Sequence, residues 1–159
     1  MNQGVHGIDV LHFLLGAITE VNGTVRTQVH NIEVEDTAVA TVRFANGAIG
    51  VIEGTTSMHK GYPRKLEIHC EKGSLQIEEN RIVAIDLDGF ELTEGDGKYD
   101  SSSNPMNLSH AGHTRQYENF LAALDGKETL FYSASDAAMA VKTILAIYRS
   151  SNENRNVTL

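Results

Sequence analysis

The sequence predicts an α+β domain, with an open, largely antiparallel β-sheet of about six strands and helices packed on one face. Three observations carry this. An almost wholly apolar segment opens the chain: Val5, Ile8, Val10, Leu11, Phe13, Leu14 and Leu15. Between Glu20 and Leu87, short β-rich runs alternate with tight-turn signals. From Ser109 to Ser151, two stretches repeat apolar residues at helical spacing. One helix, a run of strands, two helices and a short last strand is the element order of an α+β fold.

The elements follow in order. Continuous apolar content over Val5–Leu15 predicts a helix buried on most sides, stopped by Gly16 as a C′ residue. A strand is expected near Glu20–His30, and its imperfect alternation (Val21, Thr24, Arg26, Val29) suggests a bulge. Thr37–Phe44 and Ala48–Thr55 flank Asn46-Gly47, the strongest short hairpin signal. In Lys65–Cys70, Leu66, Ile68 and Cys70 point one way and Lys65, Glu67 and His69 the other, so one sheet face is buried. Lys72-Gly73 turns into Ser74–Ile77, and Glu79-Asn80 turns into Ile82–Leu87, an antiparallel meander. Asp96–Pro105 reads as a polar loop. A helix over Ser109–Asp125 carries His113, Tyr117, Phe120, Leu121 and Leu124 on one face and ends at Gly126. The last helix starts near a Ser133 or Ser135 cap and runs to about Ser151, with Ala137, Val141, Ile144, Leu145 and Tyr148 as its stripe. Arg155–Leu159 is a short terminal strand, and there is no internal repeat.

Composition narrows the function classes. At 159 residues the chain suits one domain. A net charge of −8 and a pI of about 5.3, with the acidic residues scattered, argue against a nucleic-acid partner, which needs clustered Lys and Arg. There is no long apolar run for a membrane span, and no basic n-region for a signal peptide. Cys70 is the only cysteine, so a disulfide framework and a thiolate zinc site are excluded, and a cytoplasmic location is expected. Cys70 itself reads as a small core residue on a strand. No Gly-x-Ser-x-Gly exists for serine-hydrolase chemistry.

Within the first helix, Asn2, His6 and Asp9 are spaced by four and three residues and share one face. An apolar helix seldom carries such a stripe without reason. Unpaired burial would cost about 1–3 kcal/mol per group, so either a network or a substrate satisfies them. Two ligands at that spacing do not fill a metal's first shell, and no metal site is expected.

The opening Asn2-Gln3-Gly4-Val5-His6-Gly7-Ile8-Asp9 resembles the start of the substrate-binding domain of the Gfo/Idh/MocA family of NAD(P)-dependent sugar dehydrogenases. Leu66-Glu67-Ile68-His69-Cys70-Glu71-Lys72-Gly73 is similar to the family's strand–turn–strand, with Cys70 where glycine is usual. The ending matches too: Gly112-His113-Thr114-Arg115-Gln116-Tyr117-Glu118-Asn119-Phe120, then Ala146-Ile147-Tyr148-Arg149-Ser150-Ser151. The resemblance runs in order over nearly the whole chain.

It implies a C-terminal-type domain spanning residues 1–159 whose dinucleotide-binding Rossmann domain is absent. The sequence has no Gly-x-Gly-x-x-Gly in a strand-to-helix turn and no Glu-Lys-Pro; Gly95-Asp96-Gly97 sits in polar loop. The implied enzyme oxidises a hydroxyl of a sugar, cyclitol or nucleotide sugar with NAD or NADP. Neither cofactor is expected to bind tightly to this chain alone.

The resemblance makes His6 the expected catalytic residue, placed by the hydroxyl that is oxidised. Histidine as a residue type titrates near pH 6.5 and suits proton transfer. Asn2, Asp9, His113 and Arg64 are the expected substrate-binding residues. Asn2 stands where many relatives carry aspartate; an amide binds a hydroxyl but cannot accept its proton. Asp9 is also placed to orient His6 or to serve a local network, and Arg64 can bind an anion bidentately or stand as a solvated charge.

The alternative is a non-catalytic binding or assembly module that dimerises through its sheet. Either way a homodimer or higher homo-oligomer is expected. Thr37–Phe44 and Ala48–Thr55 carry apolar or small residues on both faces, and helices cover only one.

Overall fold

The computed structural model describes residues 4–79, 81–88 and 111–159. Asn2, Asn80 and the expected loop Asp96–Pro105 lie outside them. The described elements are α1 (Gly4–Leu15), β1 (Ile18–Arg26), β2 (Thr37–Phe44), β3 (Ile49–Thr55), β4 (Lys65–Cys70), β5 (Gly73–Glu78), β6 (Arg81–Leu87), α2 (Ala111–Leu124), α3 (Ala134–Glu153) and β7 (Val157–Thr158). This is the α+β fold with open antiparallel sheets. The strands, however, form two sheets rather than one of six: β3-β2-β1-β7 and β4-β5-β6. Between β3 and β4 the chain turns through Lys60 and Gly61, both at positive φ, and meets Pro63, which has no N–H to extend a ladder.

Two compact units result. The first holds α1, β1–β3, α3 and β7. Its core lies between one sheet face and the helices. Val21, Ala38, Ala40, Val42, Phe44 and Val157 from the sheet meet Ile8 of α1 and Ala140, Ala146 and Ile147 of α3. The alternate residues Val39, Thr41 and Arg43 are exposed on the opposite face. The Asn46-Gly47 hairpin forms as read: Gly47 takes φ +90° and the Asn46 carboxamide accepts from the Ala48 amide at 2.9 Å. Gly16 ends α1 at φ +84°, its N–H donating to the His12 carbonyl at 2.9 Å.

Four further sequence expectations need correction here. First, β1 stops at Arg26 rather than His30. The Asp36 carboxylate accepts from the amides of Gln28, Val29 and His30 at 2.7–3.0 Å and pulls that segment into a loop. Those amides hold the Asp36 carboxyl well below the usual carboxylate range. The bulge occurs between Ile18 and Glu20. Second, α1 is not buried on most sides: Ile8 and His12 are buried, while Phe13 and Leu14 are exposed. Third, the core face of α3 is Ala140, Thr143, Ala146, Ile147 and Ser150. Ala137, Val141 and Leu145 of the expected stripe point to solvent.

The reason for the third is close approach. A Cβ on Gly23 would lie 2.9 Å from the Ile147 methyl and 3.2 Å from the Ile147 carbonyl. Glycine at position 23 is what lets Ile147 and the α3 backbone come this near to β1. The Ser150 and Ser151 hydroxyls accept from the β1 amides of Gly23 and Val25 at 2.9 and 3.0 Å. They serve the edge of β1 beyond the two-residue pairing with β7.

The second unit holds β4–β6 and α2. Glu67 and His69 alternate with the half-buried Leu66 and Ile68 as read, but Cys70 is exposed at the strand end. This is the fourth correction: it is no core residue. Asn119 of α2 organises the chain that follows. Its side chain donates to the Thr129 carbonyl at 3.1 Å and accepts from the Phe131 amide at 2.8 Å. Tyr117, Phe120, Leu121 and Leu124 on α2 are exposed.

Candidate functional site

The site builds on α1. Its buried side carries Ile8 into the core, and its flank carries two polar side chains that are tied down. The His12 Nδ1–H donates to the Gly16 carbonyl at 3.1 Å, which leaves Nε2 to accept from the Thr143 hydroxyl at 2.9 Å. Burial pushes the His12 imidazole below its ordinary pKa, against the opposing pull of the Gly16 carbonyl and the Asp9 charge. His12 is therefore a neutral structural link between α1 and α3.

One turn earlier, Asp9 Oδ1 accepts from the Tyr132 hydroxyl at 2.5 Å. Burial first, then this carboxylate, pushes the Tyr132 phenol up to about 12. His6 comes another turn earlier. It is exposed and makes no hydrogen bond to any described residue.

His6 and Asp9 thus share one helix flank in the first unit. Arg64 and His113 belong to the second. Arg64 donates its backbone N–H to Glu79 Oε1 at 2.8 Å and its guanidinium to the Glu79 carbonyl at 2.5 Å, joining the open end of the β4–β5 hairpin. His113 is exposed on α2. Tyr132, His12 and Thr143 were not singled out by the sequence. Their contacts span 123 and 131 positions, and no local spacing announces them.

Among the described residues no group of three or more His, Cys, Asp or Glu could hold a metal ion. Both sheets are antiparallel, and no described strand runs through a glycine-rich turn into a helix to cradle a pyrophosphate. No described helix is long and apolar enough to cross a membrane.

Comparison with known proteins places this geometry. The profile of a family described as the oxidoreductase family, C-terminal alpha/beta domain, matches residues 1–159. The chain is 29% identical over 91 residues to inositol 2-dehydrogenase 2 of Paenarthrobacter aurescens (strain TC1), covering 55% of this chain and 27% of that protein. It is 24% identical over 162 residues to inositol 2-dehydrogenase of Rhizobium meliloti (strain 1021), covering 98% of this chain and 48% of that one. Its fold superposes on the WlbA dehydrogenase of Bordetella pertussis, solved with NADH and UDP-GlcNAcA. The TM-score is 0.78 and the identity 26%, over 100% of this chain and 44% of that one. The chain spans about half the length, or less, of the proteins it matches.

Proposed function

This chain belongs to the C-terminal domain family of the Gfo/Idh/MocA oxidoreductases, and from that premise we propose that it is the substrate side of an NAD(P)-dependent dehydrogenase. The substrate class is a sugar, cyclitol or nucleotide sugar, as in the similar inositol dehydrogenases and the WlbA complex. NAD or NADP, held on a separate dinucleotide-binding domain, takes the hydride in the complete enzyme. The lone thiol and the lack of any disulfide pair support a cytoplasmic setting.

One observation supports the role of His6 above all. Of the imidazoles and carboxylates on α1, His12 and Asp9 are each taken up inside the fold, and His6 alone among them is left exposed without a partner among the described residues. Oxidising an alcohol removes a hydride from carbon and a proton from oxygen. His6 hydrogen-bonds that oxygen and receives the proton. Asp9 accepts from a neighbouring hydroxyl, and Asn2 supplies an amide to the same ligand. The substrate-binding role of Arg64 and His113, which belong to the second unit, is proposed from the resemblance alone. The test is polyol-dependent reduction of NAD(P)⁺. The chain alone is expected to be silent, and the same chain joined to a dinucleotide-binding domain to be active. Turnover by the chain alone would overturn the proposal.

A sheet-mediated homodimer completes it. Val39, Ile49 and Val51 are exposed on β2 and β3, but Arg43 pairs with Glu20, and Asn22 and Thr24 line the β1 side. The apolar patch is thus confined to the β2–β3 side, and the contact is expected there. Light scattering at tens of micromolar should return a dimer mass; a monomer excludes it.

A further inference from the structure

We propose that Tyr132 is a positioning residue for the substrate side of α1. Its hydroxyl pins one oxygen of the Asp9 carboxylate and so holds the other to accept a hydrogen bond from a second hydroxyl of a polyol seated at His6. This rests on the reading of His6 given above.

Asp9 follows His6 by three residues, so their Cβ atoms lie about 5–6 Å apart on neighbouring turns. Vicinal hydroxyls on one ring can reach both. The Tyr132 hydroxyl engages only Oδ1, and Oδ2 has no partner among the described residues. A carboxylate accepting from a neutral hydroxyl makes the stronger, charge-assisted kind of hydrogen bond, provided its rotamer is fixed.

Tyr132 is built to fix it. It directly precedes Ser133, the N-cap of α3. There the Ser133 hydroxyl accepts from the Asp136 amide, and the Asp136 carboxylate accepts from the Ser133 amide at 2.8 Å. The backbone beside the tyrosine is therefore anchored. A purely structural tie between α1 and α3 already exists one turn further on, in the buried His12–Thr143 pair. The Tyr132–Asp9 pair is only half-buried, on the flank that leads to His6.

The test is NMR titration of the 159-residue chain with two probes, myo-inositol, which carries vicinal hydroxyls, and cyclohexanol, which carries one. Y132F is expected to weaken myo-inositol by about fivefold and to leave cyclohexanol unchanged. D9N should show the same selective loss without adding to Y132F, and additive losses in the double variant would overturn the inference. A helix tie with no positioning role would weaken both probes together or neither. If Y132F and wild type bind myo-inositol equally while His6 still shifts, the inference is overturned and the reading of His6 stands. If neither probe shifts His6 in the wild type, that reading fails and the inference falls with it.

Discussion

Replacing His6 by alanine, in an enzyme that joins this chain to a dinucleotide-binding domain, is expected to lower kcat by about 10²–10⁴-fold with little change in stability. The magnitude is that of a removed general acid–base group. The stability expectation follows from exposure: His6 packs into no core and holds no hydrogen bond to a described residue, and such surface changes stay within about 0.5 kcal/mol. The two readouts separate chemistry from folding. Steady-state kinetics should show the loss while circular dichroism and the unfolding midpoint hold. A variant within about twofold of wild type in kcat would remove His6 from the chemistry.

The second large effect is structural. Gly73→Ala is expected to break the β4-β5-β6 sheet. A Cβ at Gly73 would stand 2.2 Å from the Asp86 carbonyl oxygen, a contact that no rotamer change relieves because the obstacle is backbone. Gly73 pairs with Cys70 on one side and Leu87 on the other, so it cannot move without opening both ladders. The cost should be about 3 kcal/mol or more, at the upper end of overpacking penalties. Amide exchange over Lys65–Leu87 reads it directly, and protection equal to wild type would contradict it. Gly23 is the milder case. Its nearest obstacle is a side-chain methyl of Ile147 at 2.9 Å, which can shift by a few tenths of an ångström.

These two positions differ in how far the sequence could announce them. Lys72-Gly73 was readable as a turn, because alternating Leu66 and Ile68 end just before it. The crowding at Gly73 was not, since the offending carbonyl lies 13 positions on, at Asp86. The hairpin at Asn46-Gly47 and the stop at Gly16 were legible because a single glycine at positive φ decides each locally. The face of α3 misled for a physical reason. Periodicity weighs large apolar residues most heavily, and Val141 and Leu145 are among them. Close packing over Gly23 instead selects Ala140, Thr143, Ala146 and Ser150 for the core.

The site divides the same way. The His6/Asp9 stripe is visible from spacing alone, as two polar groups on an apolar helix. What ties Asp9 and His12 into the fold is not. Thr143 and Tyr132 come from the far end of the chain, and nothing in their own neighbourhoods marks them as partners of α1. The loop that shortens β1 depends on Asp36 reaching back six to eight residues to Gln28, Val29 and His30. A lone aspartate in an acidic run does not declare that.

On the proposed function, this chain is expected to hold the substrate and not the dinucleotide. Titrating the isotope-labelled 159-residue chain with myo-inositol and then NADH, and following amide shifts, tests it most directly. The account predicts that millimolar myo-inositol moves His6, Asp9 and their neighbours on α1, while NADH gives no saturable shift at micromolar concentration. Micromolar saturation by NADH, or polyol shifts that avoid α1, would contradict it.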